Sequence, residues 1–193
     1  MAIGSPFYGK EVALRPIEPG DASLLHGWLN HPDVLGRRYT AWWGGEDFVP
    51  LSVTQVEGIL KEWAGAKSEL HLMVTLCKDE TPIGYAACDW GWDVHTQGVW
   101  VVIAPPYRRK GYGSEALRLL LGYQFGCGPA HAISCWVADW NEPGRRFAAR
   151  NGFRETGLFR RAGMRAGAFY DIVTADILRP EWEALHGGEN NAA

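Results

Sequence analysis

The sequence predicts an α/β (α+β) protein with about seven strands, and three observations carry that reading. Seven short stretches rich in aliphatic, aromatic and Thr residues alternate with segments whose apolar residues recur at spacings of three and four. Between Gln97 and Phe125 an apolar strand passes through a basic, glycine-punctuated loop into a helix. A chain of 193 residues with 47% hydrophobic content can fill one core and is short for two. A single domain over residues 1–186 is therefore expected. The small, polar tail 187–193 reads as disordered.

In chain order, Glu11 to Pro16 alternates weakly as a first strand and ends at the Pro19-Gly20 turn. Asp21 is placed to cap a short helix, Ala22 to Leu29. Residues 33–51 show no period and hold Trp42 and Trp43, a long connection of the kind that often carries function. Ser52 opens a helix to about Ala64, with Val56, Ile59, Leu60 and Trp63 on one face. Leu70 to Cys77 and Pro82 to Asp89 read as neighbouring antiparallel strands joined by a Lys-Asp-Glu-Thr turn. A loop from Trp90 to Thr96 leads to the strand Gln97 to Ile103. The helix after the glycine loop stops at Gly126-Cys-Gly-Pro129. The strand Ala132 to Ala138, the helix Glu142 to Arg150 and its Asn151-Gly152 stop follow. Phe153 to Arg161 and Ala168 to Leu178, linked by residues 162–167, close the chain as a hairpin. Trp28, Trp63 and Trp182 fit helix patterns and are assigned to the core.

The loop Arg108-Arg109-Lys110-Gly111-Tyr112-Gly113-Ser114 has the chemistry of a phosphate cradle. Two glycines at spacing two let backbone N–H groups approach an anion where a Cβ would stand in the way. The helix that follows adds its unpaired N–H groups and dipole, and three cations supply countercharge. The ATP-binding G-x-x-x-x-G-K-[ST] pattern is absent. Gly111 to Ala116 matches G-x-G-x-x-[GA], but the strand ends several residues early at Pro105-Pro106 and no acid sits near Ile133, about twenty positions on. A dinucleotide site is therefore a minor alternative.

At these residues the chain resembles the GNAT N-acetyltransferase superfamily. The pattern [Q/R]-x-x-G-x-[G/A] appears as Arg108-x-x-Gly111-x-Gly113, after a hydrophobic strand, a Pro and an aromatic-Arg pair. A second block, Asn141, a helix and Asn151-Gly152-Phe153, is similar to the family's late segment. With Leu14-Arg15-Pro16 and Glu181-Trp182, it is closest to the branch named for ribosomal-protein N-terminal (alanine/serine) acetyltransferases. The resemblance spans about Val12 to Trp182. It implies a central mixed, mostly antiparallel sheet of about seven strands, helices on both faces and splayed central strands. It implies acetyl-CoA as co-substrate, held by the main chain of Val101, Val102 and Ile103, by Arg108, Arg109, Lys110, Gly111, Tyr112, Gly113 and Ser114, and by Asn141. The implied reaction is acetyl transfer to a primary amine, either a protein N-terminal amine or a small molecule such as a polyamine or aminoglycoside. The family's Tyr position holds Ala148, the branch's Ser position Gly144 and the strand carboxylate position Gly98. These departures leave a non-catalytic acyl-CoA-binding module as the competing reading. Tyr170 becomes the candidate acid and Asp89 the candidate base, with Asp93 and His95 next. Trp42, Trp43 and Trp90 are the candidate acceptor-binding residues, and Trp92 and Trp140 are further aromatic faces that could receive a cationic amine.

An amine of pKa about 10.4 is neutral about once in 2,500 molecules at pH 7, whereas an α-amine near 8 is neutral roughly one time in ten. An acceptor of modest pKa therefore asks less of a chain lacking the usual base. The net charge of −3, from 19 basic and 22 acidic residues, argues against a general nucleic-acid partner. Ten of the basic residues nevertheless fall in 108–110 and 145–165. Four cysteines without a C-x-x-C pair read as buried free thiols in a reducing compartment, and no metal set is expected. With no signal-like start and no apolar run of membrane length, a cytoplasmic protein is expected. A homodimer through the late strands is expected from the resemblance alone.

Overall fold

The computed structural model describes residues 7–31, 50–165 and 167–186. It contains the strands β1 (Val12–Pro16), β2 (Glu69–Leu76), β3 (Pro82–Asp93), β4 (Thr96–Ile103), β5 (Ala132–Ala138), β6 (Arg154–Arg165) and β7 (Ala168–Leu178). They form a seven-stranded, mostly antiparallel sheet in the order β1-β2-β3-β4-β5-β7-β6. The five α-helices are α1 (Ala22–Leu29), α2 (Val53–Gly65), α3 (Tyr112–Gly126), α4 (Glu142–Arg150) and α5 (Arg179–His186). None of the described helices is long and apolar enough to cross a membrane. Two compact units divide the chain, Met1–Cys88 with Trp100–Leu120, and Asp89–Val99 with Leu121–Ala193.

In the first unit β1 pairs antiparallel with β2, from Val12 opposite Leu76 to Pro16 opposite Leu72. Leu25 and Leu29 of α1, Val56 and Leu60 of α2, Met73 of β2 and Tyr85 of β3 form one buried cluster, with Trp28, Trp63 and Trp100 against it. Helix α2 starts where its capping box dictates: Ser52 Oγ accepts from Gln55 N (3.2 Å) and Gln55 Oε1 from Ser52 N (2.8 Å). Asp21 does not cap α1. Its carboxylate accepts both guanidinium donors of Arg15 at 2.8 Å and the Glu18 N–H, a stronger set of charge-assisted partners than a helix N-terminus offers. Burial pushes the Asp21 carboxyl up, but those hydrogen bonds outweigh it and hold it below the usual range.

In the second unit β5 pairs with β7 from Ala132 opposite Leu178 to Ala138 opposite Ile172. Phe125, Ile133, Phe153, Val173 and Ile177 fill its core. Trp182 of α5 packs beside Phe125 at 5.7 Å, over the space left by Gly122. Arg179 anchors α5 by donating to the carbonyls of Ala130 (3.0 Å) and Gly128 (3.1 Å).

Two boundaries differ from the sequence reading. β3 continues past Asp89 to Asp93, so Trp90 is on a strand and the turn shrinks to Val94-His95. Asp93 accepts the His95 N–H (2.7 Å) and faces the His95 ring (2.8 Å), an Asx turn that needs no longer loop. β6 continues to Arg165 because a bulge between Phe159 and Gly163 absorbs the extra residues. Within it Arg161 takes a φ of 51° and donates its N–H to Asp171 Oδ1 (2.6 Å). The thiols also divide: Cys88 is buried, while Cys77 and Cys127 are exposed at element ends. Burial pushes the Cys135 thiol up to about 12. The tail from Gly187 lies outside the described residues.

The ladder between β4 and β5 is parallel and short. It registers Thr96 with Ala132, Gln97 with Ile133 and Gly98 with Ser134, and no further pair is registered between them among the described residues.

Candidate active site

The first unit holds the end of β4, its glycine loop and the start of α3. A run of two prolines makes a short 3-10 turn at Pro105–Tyr107. Ala104 N donates back to Ile83 O (2.8 Å), so the strand end is fixed on its β3 side. Gly84 lets the chains approach there, since a Cβ at that position would strike the Val102 carbonyl. Arg108 Nε donates to Ile103 O (2.7 Å), tying the loop to the last residue of β4. The loop turns through two left-handed residues, Arg109 at φ 62° and Gly111 at φ 88°. An added Cβ on Gly111 would meet nothing within 4 Å, so its surface is open. Gly111 O accepts from Glu115 N (3.1 Å), which sets the first turn of α3 at Tyr112, Gly113 and Ser114.

Glu115 is the one acid of that turn, where it would repel an incoming anion. Its Oε1 instead accepts the backbone N–H groups of Lys10 and Glu11. Nothing in the sequence links positions 115 and 10, so only the fold reveals this. With Arg109 and Lys110 exposed, the loop offers first-turn N–H groups, two exposed cations and an open glycine surface. That set fits a diphosphate. Half-buried Val101, Val102 and Ile103 have no registered β5 partner among the described residues. Their main chain is thus suited to an extended ligand arm.

The second unit holds the remaining candidates. Asn141 is the N-cap of α4, with Oδ1 accepting from Gly144 N at 3.3 Å. A Cβ at Gly144 would come within 2.6 Å of Asn141 Nδ2, so a serine there would displace the cap. Ala148 is buried and has no proton to give. Tyr170 is 8% exposed, edge-on to the Trp140 ring (6.2 Å, 90°), and its hydroxyl lies where a Cβ of Gly163 would stand. The face of Trp140 is covered by the Arg165 guanidinium at 3.8 Å, so the protein's own cation occupies it.

Half-buried Asp89 accepts the Gly98 N–H at 3.2 Å. A Cβ at Gly98 would lie 2.7 Å from Asp89 Oδ1. The carboxylate from β3 therefore occupies the space that a side chain on β4 would otherwise take. The short turn at Val94-His95 makes this pairing; with β3 ended at Asp89, the sequence reading missed it. Asp93 and His95 engage each other in that turn, and the two hydrogen bonds from His95 hold the Asp93 carboxyl low. Trp90 is exposed, whereas Trp42 and Trp43 lie outside the described residues. No cluster of three His, Cys, Asp or Glu side chains suited to a metal gathers among the described residues.

Residues 36–153 match the acetyltransferase (GNAT) family. The SPbeta prophage-derived uncharacterized N-acetyltransferase YokL of Bacillus subtilis is 29% identical over 92 residues, covering 48% of this chain and 52% of that protein. The chain spans about half the length of the curated relatives it matches. A GNAT-family acetyltransferase from Bacillus anthracis superposes with a TM-score of 0.77 at 22% identity, over 90% of this chain and 98% of that one. The spermidine N-acetyltransferase of Vibrio cholerae, solved with CoA and spermine, superposes with a TM-score of 0.77 at 21% identity, over 89% and 97%. At these identities the two structures speak for the fold.

Proposed function

Since the chain belongs to the acetyltransferase (GNAT) family, we propose that it transfers an acetyl group from acetyl-CoA to a primary amine, with a protein N-terminal amine as the favoured acceptor. The observation that carries this reading is the end of β4: its last residues, Val101 to Ile103, have no registered β5 partner among the described residues and run into a left-handed glycine loop that opens α3. On this proposal Arg109, Lys110, Gly111, Tyr112, Gly113 and Ser114 hold the diphosphate, and Arg108 braces the loop. The main chain of Val101, Val102 and Ile103 hydrogen-bonds the thiol-bearing arm and stabilises the oxyanion. Asn141 contributes to the arm through its amide.

The amine lone pair adds to the thioester carbonyl carbon. Collapse of the tetrahedral adduct breaks the C–S bond, and the thiolate takes a proton. Asp89 is the proposed acceptor of the amine's proton through a water, and Tyr170 the proposed donor to sulfur. Trp42, Trp43 and Trp90 are proposed to contact the acceptor. Residues 1–186 are read as one transferase domain.

Charge favours the α-amine. The sequence shows no run of carboxylates of the kind a cleft for a polycation would need. The fold shared with a spermidine N-acetyltransferase supports the polyamine as the second reading. The likeness to the ribosomal-protein branch, the homodimer and the cytoplasmic location remain expectations from the sequence.

The test is thiol release from acetyl-CoA across peptides with free N-termini, polyamines and aminoglycosides. Turnover on peptides with little on polyamines is expected. Calorimetric binding of CoA with no release on any amine identifies a non-catalytic module, and absence of CoA binding removes the proposal.

A further inference from the structure

The outer edge of the sheet carries a second feature that the transferase reading does not use. β6 ends the strand order, so its outer backbone N–H and C=O groups have no neighbouring strand among the described residues. Arg154 through Ala162 are exposed without a break, on both faces of the strand. Natural edges are normally shortened, covered, bulged, charged or blocked by proline, because an open edge is a template for another strand. This one is twelve residues long, has no proline and is interrupted by the bulge between Phe159 and Gly163, so its protection rests on that bulge and on its arginines, which repel basic strands and admit acidic ones.

Its side chains are selective in charge. β6 has four arginines and one glutamate. Glu155 is engaged by Arg145 at 2.8 Å and Arg154 by Glu181 at 2.9 Å. Arg160, Arg161 and Arg165 remain without a carboxylate partner among the described residues. Asp171 on β7 accepts the Arg161 backbone N–H through Oδ1. Two of the three guanidinium groups are pre-positioned on aromatic rings, Arg161 over Phe169 (5.7 Å) and Arg165 over Trp140 (3.8 Å). Stacking leaves the in-plane N–H donors free for a carboxylate, with less ordering cost on binding. Between them, Leu158, Phe159, Met164 and Phe169 are each at least half exposed.

We propose that β6 is a docking edge for an extended acidic polypeptide segment that adds to the sheet as an eighth strand. The backbone edge supplies the ladder, Arg160, Arg161 and Arg165 pair with carboxylates, and the exposed apolar side chains take the alternate residues. A second copy of β6 is a poor occupant, since it would set four arginines against four with one glutamate on each side. A nucleic acid would use the arginines but not the ladder.

The test is fluorescence anisotropy of the full chain with a labelled ten-residue peptide of alternating Glu and Val. Saturable binding is expected, weakened about tenfold or more in an Arg160→Glu/Arg161→Glu variant. A similar loss is expected when alternate peptide nitrogens are methylated. Circular dichroism and CoA binding of the variant show that it is folded. Equal binding of a Lys-Val peptide, unchanged binding by the methylated peptide or by the variant, or no binding at all would overturn the proposal. So would tighter binding of a ten-nucleotide single strand, or a dimer in sedimentation velocity that the peptide dissociates. The readout is binding, so it fails or succeeds independently of acetyl transfer.

Discussion

The glycine loop after β4 and the aromatic cluster around Trp140 present opposite kinds of surface. In the loop the groups offered to a ligand are main-chain N–H donors, made available by the φ of 88° at Gly111 and by Glu115 turning its carboxylate onto residues 10 and 11. Around Trp140 the chemistry is in side chains, and these already hold one another: Arg165 covers the indole, Tyr170 meets its edge and Asn141 caps α4. A backbone site is set by a few local conformations. A side-chain site depends on which partners the fold brings.

Substitutions should separate the two regions, binding in one and turnover in the other. The largest effect is expected from Tyr170→Phe, which keeps the ring against Gly163 but removes the proton donor. A fall in kcat of about 100-fold with an unchanged KM for acetyl-CoA is expected in steady-state kinetics. A fall under about threefold would make Tyr170 a packing residue only. Gly111→Val should weaken CoA binding about tenfold in calorimetry, because a β-branched residue is strained at positive φ, with kcat at saturation little changed. Asp89→Asn should remove the acidic limb of the kcat/KM pH profile, while a profile matching the parent in shape and height excludes it as the base.

The smallest effect lies away from both regions. Asp21→Asn should cost about 1 kcal/mol of stability at pH 7 in urea unfolding. The folded carboxyl titrates below its unfolded value. That contribution is therefore present above about pH 4 and is lost as pH falls through the folded value, so parent and variant should converge there. Convergence at neutral pH as well would mean that Arg15 gains nothing from the pair.

What the sequence made legible follows the same division. The strand, the Pro105-Pro106 stop, the Arg108-x-x-Gly111-x-Gly113 spacing and the helix start are all local, and each is found in the structure within two residues. The capping box at Ser52 is equally local. Asp21 looked like a cap because its nearest neighbours suit one, yet Arg15 on the preceding strand holds it. β6 looked short because a bulge interrupts its period, and Gly163 reads as a loop residue until Tyr170 is seen to lie across it. Asp89 was legible as a strand-end acid, but its place over Gly98 required β3 to continue to Asp93. In each case the missing information was a partner distant in sequence or across a turn.

Hydrogen–deuterium exchange with and without CoA is the most direct measurement of the loop's role. Slowed exchange is expected at the amides of Val101 to Ile103 and Gly111 to Ser114, with little change along β6 and β7. Protection confined to other segments, or unchanged exchange at these seven amides under saturating CoA, would contradict the assignment of the diphosphate and its arm to this part of the chain.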